Sequence, residues 1–118
     1  MRDFRKYEVY TNAIEFAIQI YQQTMTFPDS EKFGLTNQLR RAAVSISANI
    51  SEGSGRNTTK EFAHFVSISK GSSNECETLL SIAYRLGFIE HDAHQKLVGK
   101  IISIQKQLGG LHKHLSNN

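Results

Sequence analysis

The chain has no tryptophan, one cysteine and one proline among its 118 residues. A lone Cys76 cannot close an internal disulfide, which excludes a disulfide-stapled fold and points to a reducing compartment. Its apolar helical register makes it a small core residue, with no second cysteine or activating neighbour for redox work. No run reaches about 18 consecutive apolar residues, which excludes a hydrophobic membrane-spanning helix. The N-terminal stretch MRDFRKYEVY lacks the apolar centre of a signal peptide, so the expected location is the cytoplasm. Period-2 alternation is confined to VSIS around Ser45 and VSIS around Ser67, both inside longer helical patterns. Strands are therefore not expected, and the length fits one all-α domain.

Large charge of one sign is also missing: the net charge is +3. Its placement is uneven. From residue 91 onward, Lys96, Lys100, Lys106 and Lys113 face only Asp92, whereas basic and acidic residues nearly balance before that point. The surplus belongs to the last helix, and an oligomer would multiply it.

What the sequence does have is a densely patterned stretch, QLRRAAVSISANISEG, from Gln38 to Gly53. Leu39, Ala42, Ala43, Ile46 and Ile50 recur at helical spacing and define a core face. Arg41, Ser45 and Glu52 lie along one flank, with Asn49 beside them. The back, Val44, Ser47, Ala48 and Ser51, is small and uncharged where a solvated helix usually carries Lys and Glu. That helix is expected to touch something on both sides.

Four helices are predicted, at roughly 7–26, 36–54, 59–86 and 92–115. In the first, Val9, Ala13, Phe16, Ala17, Ile20 and Thr24 form a face that Tyr10, Ile14 and Tyr21 widen, until Phe27-Pro28 stops it. Residues 1–6 are expected to be loose. Thr36 suits the N-cap of the second helix, and Gly53 and Gly55 its end. The third opens near Thr58 or Thr59, ahead of Glu61, and ends at Gly87. The middle of its buried face is small (Ser69, Ser72, Ser73, Cys76), which suits close approach by the alanines of the second helix. Its serines are expected to bond back to their own preceding turn. Gly71 costs about 1 kcal/mol against alanine in mid-helix, and close approach or a bend is the expected reason. The fourth helix starts around Asp92 and carries Leu97, Ile101, Ile104, Leu108, Leu111 and Leu115 as an unbroken heptad seam. The tail from Ser116 should fray. Short connections make this an up-down-up-down four-helix bundle.

Catalytic signatures are scarce. GSGR at Gly53–Arg56 is too short for a phosphate loop and follows a helix. His91 and His94 share a helix face, but the paired Glu-x-x-His of di-iron bundles is absent, and His112 and His114 diverge. These histidines are expected to be solvated. No serine or cysteine sits in a nucleophile context. No enzyme activity, metal or cofactor is expected. Glu52, Glu75 and Glu77 border the second and third helices, and a carboxylate buried there must find a charge or several donors. Arg40 and Arg41 are the nearest candidates, with Asn49 assisting. The interface or buried polar set is then Arg41, Val44, Ser45, Ala48, Asn49, Glu52, Ser72, Glu75 and Glu77. Phosphate contacts fall to Arg40, Arg56, Lys60, Lys70, Lys96, Lys100, Lys106 and Lys113, which Arg5 and Lys6 could join. Without a recognition helix or RNA-binding motif, such binding to RNA or DNA would be weakly selective for sequence.

QLRRAAVSISANISEGSGR, then KEF at Lys60–Phe62, KGSSNECETLL at Lys70–Leu80 and RLG at Arg85–Gly87 resemble the family of 23S rRNA intervening-sequence proteins, also labelled ribosomal-protein-like. That family includes the accessory variability determinant (Avd) proteins of diversity-generating retroelements. The resemblance covers nearly the whole chain. It implies a bacterial four-helix bundle assembled as a ring-like homopentamer, without enzymatic activity. For the retroelement branch it implies binding to nucleic acid and to a reverse transcriptase. Arg40, Arg41, Ser45, Asn49, Glu52, Gly71, Ser72 and Glu75 stand on the family motif, as structural or interface positions. The leading expectation is a non-catalytic nucleic-acid-binding accessory protein. Its rival is a structural oligomer or protein-binding scaffold without nucleic-acid affinity.

Overall fold

Each apolar stripe of the chain becomes one helix. The computed structural model describes residues 2–117, so the expectations for Met1 and Asn118 lie outside the described residues. The helices are α1 (Glu8–Thr24), α2 (Leu35–Ser54), α3 (Thr59–Arg85) and α4 (His91–Ser116), with 3-10 turns at Phe4–Lys6 and Asp29–Glu31. Among the described residues α1 packs on α2, α2 on α3, α3 on α4, and α4 back on α1, while the diagonal pairs stay apart. This is the expected four-helix bundle. It measures 45 × 24 × 19 Å. The long axis is close to the ~40 Å that 26 residues rise in one helix.

The core is one column. Phe16 and Ile20 of α1, Leu39, Ile46 and Ile50 of α2, Phe62, Val66, Cys76 and Leu80 of α3, and Ile101, Ile104 and Leu108 of α4 are fully buried. The heptad seam of α4 thus lies where its spacing put it, and the helix continues through Gly109-Gly110 to Ser116.

The helix ends follow local chemistry, not always from the expected residue. Thr58 caps α3 by accepting the Glu61 N–H at 3.1 Å. Gly87, at φ +82°, closes the other end. There the Phe88 N–H reaches Ala83 O at 2.9 Å and the Gly87 N–H reaches Tyr84 O at 3.0 Å, a Schellman ending. Thr36 is not a cap. It is buried in the first turn of α2, and the Leu35 N–H is taken at 3.1 Å by the Glu31 carboxylate from the preceding turn. Glu90, not Asp92, precedes α4, without a side-chain cap. Residues 2–6 are not loose. Asp3 caps the Phe4–Lys6 turn, Arg2 donates to Thr59 Oγ1 at 2.7 Å, and Phe4 packs against the core edge.

Two glycines exchange the roles expected of them. Gly53 lies inside α2 and does not end it, and Gly55 keeps a right-handed φ of −86°. A Cβ on Gly53 would sit 2.6 Å from Phe65 Cβ and 3.0 Å from Phe62 Cδ1. It is here that α2 and α3 approach most demandingly. At Gly71 a Cβ would meet nothing within 4 Å, so no contact inside the subunit explains that residue.

Candidate assembly and nucleic-acid surface

The α2–α3 seam is stitched by small hydroxyls. Ser69, fully buried, donates across the seam to the backbone carbonyl of Ile46 at 2.8 Å. Ser45 and Ser72 share a hydrogen bond of 2.8 Å, and Asn49 Nδ2 donates to Ser45 O at 2.8 Å and to Ser45 Oγ at 2.9 Å. Of Ser69, Ser72 and Ser73 on α3, Ser73 bonds back along its own helix, to Lys70 O at 2.6 Å. Small side chains therefore bring the two helices close enough for one backbone to accept directly from the other's side chain. The hydroxyls of Ser69 and Ser72 thus point across the seam and not back along their own helix, as the sequence had suggested.

Among the described residues, none of the three carboxylates pairs with Arg40 or Arg41. Glu77, half-buried, accepts from Gln105 Nε2 of α4 at 2.9 Å. Glu52 pairs with Arg56 at 2.7 Å on the open surface. Glu75 and Arg41 are both exposed and line one shallow polar depression with Asn37, Gln38, Ala42, Ser45 and Ser72, without forming an ion pair. Arg40 turns the opposite way. Its Nε donates to Thr24 Oγ1 at 2.8 Å, and its guanidinium lies 4.6 Å from the Tyr21 ring centroid. The Thr24 hydroxyl in turn donates to Ile20 O at 2.7 Å. Arg40 is thus engaged in tying α2 to α1.

Val44 and Ala48, on the uncharged back of α2, are exposed in the single subunit. Val44 does not stand alone. It borders an apolar depression of about 450 Å³ with Ile14, Ala17, Ile18, Tyr21, Met25 and Arg40. Ile18 is 53% exposed and Met25 76%. Ile14 and Tyr21, expected to widen the buried arc of α1, are at this surface instead. The excess width of that arc was the available signal: a bundle with two neighbours per helix has no room for it. Contiguous apolar side chains of this kind mark contact surfaces.

The cations stand in three situations. Arg56 is paired with Glu52 and lies 4.6 Å over the Phe65 ring. Arg5 is paired with Asp3 at 3.2 Å. Lys60, Lys70, Lys96, Lys100, Lys106 and Lys113 are all exposed, and none forms an ion pair among the described residues. Lys70 leans from α3 toward α4 near Gly109. Lys96 and Lys100 line a groove of about 590 Å³ between α1 and α4, opposite Gln19, Gln22, Gln23 and Thr26.

Burial pushes the Cys76 thiol up to about 12, with the charge of Glu75 adding to the effect. Such a thiol stays protonated and unreactive at neutral pH. Of the α4 histidines, His94 is not simply solvated: it stacks on Tyr84 at 4.4 Å with the rings nearly parallel. His91 Nδ1 is in hydrogen-bond contact with the Tyr84 hydroxyl at 3.2 Å. Among the described residues no three His, Cys, Asp or Glu side chains converge on a common point. No helix among them is long and apolar enough to cross a membrane.

The family model described as 23S rRNA-intervening sequence protein matches residues 5–110. A comparison with curated proteins finds no match. Among solved structures, the chain is similar to a crystallised protein of unknown function from the S23 ribosomal protein family of Bacteroides thetaiotaomicron VPI-5482. The two are 25% identical, the alignment covers 89% of this chain and 98% of that one, and the TM-score is 0.80.

Proposed function

Because the chain belongs to the 23S rRNA-intervening sequence protein family, we propose that it is a self-assembling, non-catalytic accessory protein that binds nucleic acid through its phosphates. The observation that carries this reading is the set of six exposed lysines without ion-pair partners among the described residues. A lysine held in a surface salt bridge has already spent its field locally. A free one adds to the long-range potential that attracts polyanions. Four of the six lie on α4, where a single acidic residue, Asp92, opposes them. Assembly multiplies the effect, since each copy repeats the set.

Self-association would use the uncharged back of α2. The apolar surface reaches from Val44 onto α1 through Ile14, Ile18, Tyr21 and Met25. Extended by Ala48, this face is better suited to burial than to water. A ring of five copies, as the family resemblance implies, requires a heterologous contact, in which this face meets a different face of the next copy.

The test is a fluorescence-anisotropy titration of the full chain with labelled RNA and DNA at several salt concentrations. Binding that weakens linearly in log salt supports phosphate recognition. Absence of binding at 20 mM salt would favour the second reading, a protein-binding scaffold, for which the same α1–α2 apolar face is the supporting observation.

A further inference from the structure

Resting on the nucleic-acid reading above, we infer that the groove between α1 and α4 takes a single strand, with a base donating to Gln19 and the adjoining phosphate between Lys96 and Lys100. The argument begins with the pattern of α1. A helix closing a bundle should present apolar residues to both neighbours. Along its α4 edge, this one presents Asn12, Glu15, Gln19, Gln22 and Gln23, with Thr26 just past its end. The spacing from Asn12 to Gln23 is helical, so these residues form one polar stripe about 17 Å long at 1.5 Å per residue. The only direct hydrogen bond spanning the seam is Asn12 Nδ2 to Gln107 Oε1 at 3.1 Å, among the described residues. Beyond it, the seam opens into two depressions, of about 220 Å³ and 590 Å³, that share Lys100 as a lining residue. The larger lies within the ~300–1,000 Å³ usual for ligand sites.

The floor and rim of the groove differ in chemistry. Gln19 lines the larger depression, and its Oε1 is buried without a hydrogen-bond partner among the described residues. Buried acceptors almost always have one, so this atom is suited to a donor from outside the chain. At the rim, Lys96 and Lys100 are one turn apart on α4 and unpaired. Glu15 beside Lys100 makes the smaller depression nearly neutral, which sets the anionic end of the ligand toward Lys96. A ligand that donates an N–H and carries an anion a few ångströms away is complementary to this arrangement. A nucleotide does both, through an amino or imino group of its base and its phosphodiester. A seam between two helices packed side by side admits one strand and excludes a duplex, whose bases are already paired.

The test uses the full chain and labelled single-stranded RNA of mixed sequence, with a duplex of the same sequence as comparison. Lys96→Gln with Lys100→Gln should weaken single-strand binding about tenfold. It should also reduce the log–log salt slope by about 0.7, the release expected for the one single-strand phosphate the two lysines share. Gln19→Leu should weaken binding several-fold and leave the salt slope unchanged, with circular dichroism confirming that the helices persist. Lys106→Gln with Lys113→Gln, away from the groove, should do distinctly less. If those distal substitutions weaken binding as much as the groove pair, or Gln19→Leu binds like the parent, or the duplex binds as tightly as the single strand, the groove assignment is overturned and the nucleic-acid reading survives. If the parent protein binds neither probe at 20 mM salt, both fall together.

Discussion

Replacing Gly53 by alanine separates the structural account from a reading of sequence alone. In an exposed helix interior, Gly→Ala gains about 1 kcal/mol through helix propensity. Here the added methyl would lie 2.6 Å from Phe65 Cβ, 3.0 Å from Phe62 Cδ1 and 3.3 Å from Phe62 O. Relaxed carbon contacts lie at ~3.5–4.0 Å, so α2 would have to withdraw from α3 by about 1 Å. Phe65 Cβ is fixed to the α3 backbone and cannot swing away as a side-chain tip could. Overpacking of this kind costs about 1–3 kcal/mol. The displacement would also stretch the Ser69 bond to Ile46 O, now 2.8 Å, which contributes about 1 kcal/mol. Set against the propensity gain, the expected net loss is about 1–3 kcal/mol, or roughly 4–12 °C in Tm for a chain of this length. Thermal unfolding followed by circular dichroism at fixed protein concentration measures it, because assembly would otherwise shift Tm by mass action. A Gly53→Ala variant as stable as the parent would refute the claim that this glycine sets the α2–α3 distance.

The converse substitution, Gly71→Ala, meets no atom within 4 Å and should stabilise the isolated subunit by about 0.5–1 kcal/mol in a urea titration. At the buried Ser69, alanine should cost about 1 kcal/mol by losing the bond to Ile46 O, and valine about 2–3 kcal/mol by forcing the seam apart, both read from the urea midpoint. Burial raises the Cys76 thiol from its ordinary 9.0 to about 12 in the folded state, so folding favours the protonated thiol. Its contribution is complete below pH 9.0 and declines toward pH 12 by up to about 1.4 kcal/mol per pH unit. The stability difference between the parent and Cys76→Ala should therefore shrink across that interval, and a difference independent of pH would contradict the burial argument. The same burial predicts that Cys76 resists alkylation at pH 8 until the chain is unfolded.

Much of the fold was legible because period and end signals are local properties. The 4-3-4-3-4 spacing from Leu97 to Leu115 fixes a buried seam whichever helix it meets, and Gly87 after a long helix marks a left-handed ending. The glycine exchange was not legible. A glycine inside a helical pattern reports that something is unusual, but whether a neighbouring backbone lies against it depends on a helix far away in sequence. Gly53 meets Phe62 and Phe65 across a turn, whereas Gly71 faces open space. Glu31 displaced Thr36 as the cap of α2 for a related reason: the 3-10 turn at Asp29–Glu31 folds a carboxylate back onto the helix start. The paired arginines illustrate the same limit at the surface. Their helical register separates Arg40 from Arg41, but only the position of α1 reveals that Arg40 has Thr24 and Tyr21 to bind while Arg41 stays in water. The polar stripe from Asn12 to Gln23 was not legible as a site. Its significance depends on knowing that α4, with Lys96 and Lys100, lies opposite.

The account depends above all on the subunit being one part of a larger assembly that repeats its charged and apolar faces. Sedimentation equilibrium of the full chain at low micromolar concentration and physiological salt measures this directly. Five copies of the 13.3 kDa chain are expected to sediment as one species, and Met25→Glu with Val44→Glu should dissociate it. A single 13.3 kDa species across the concentration range, unchanged by those substitutions, would contradict the account.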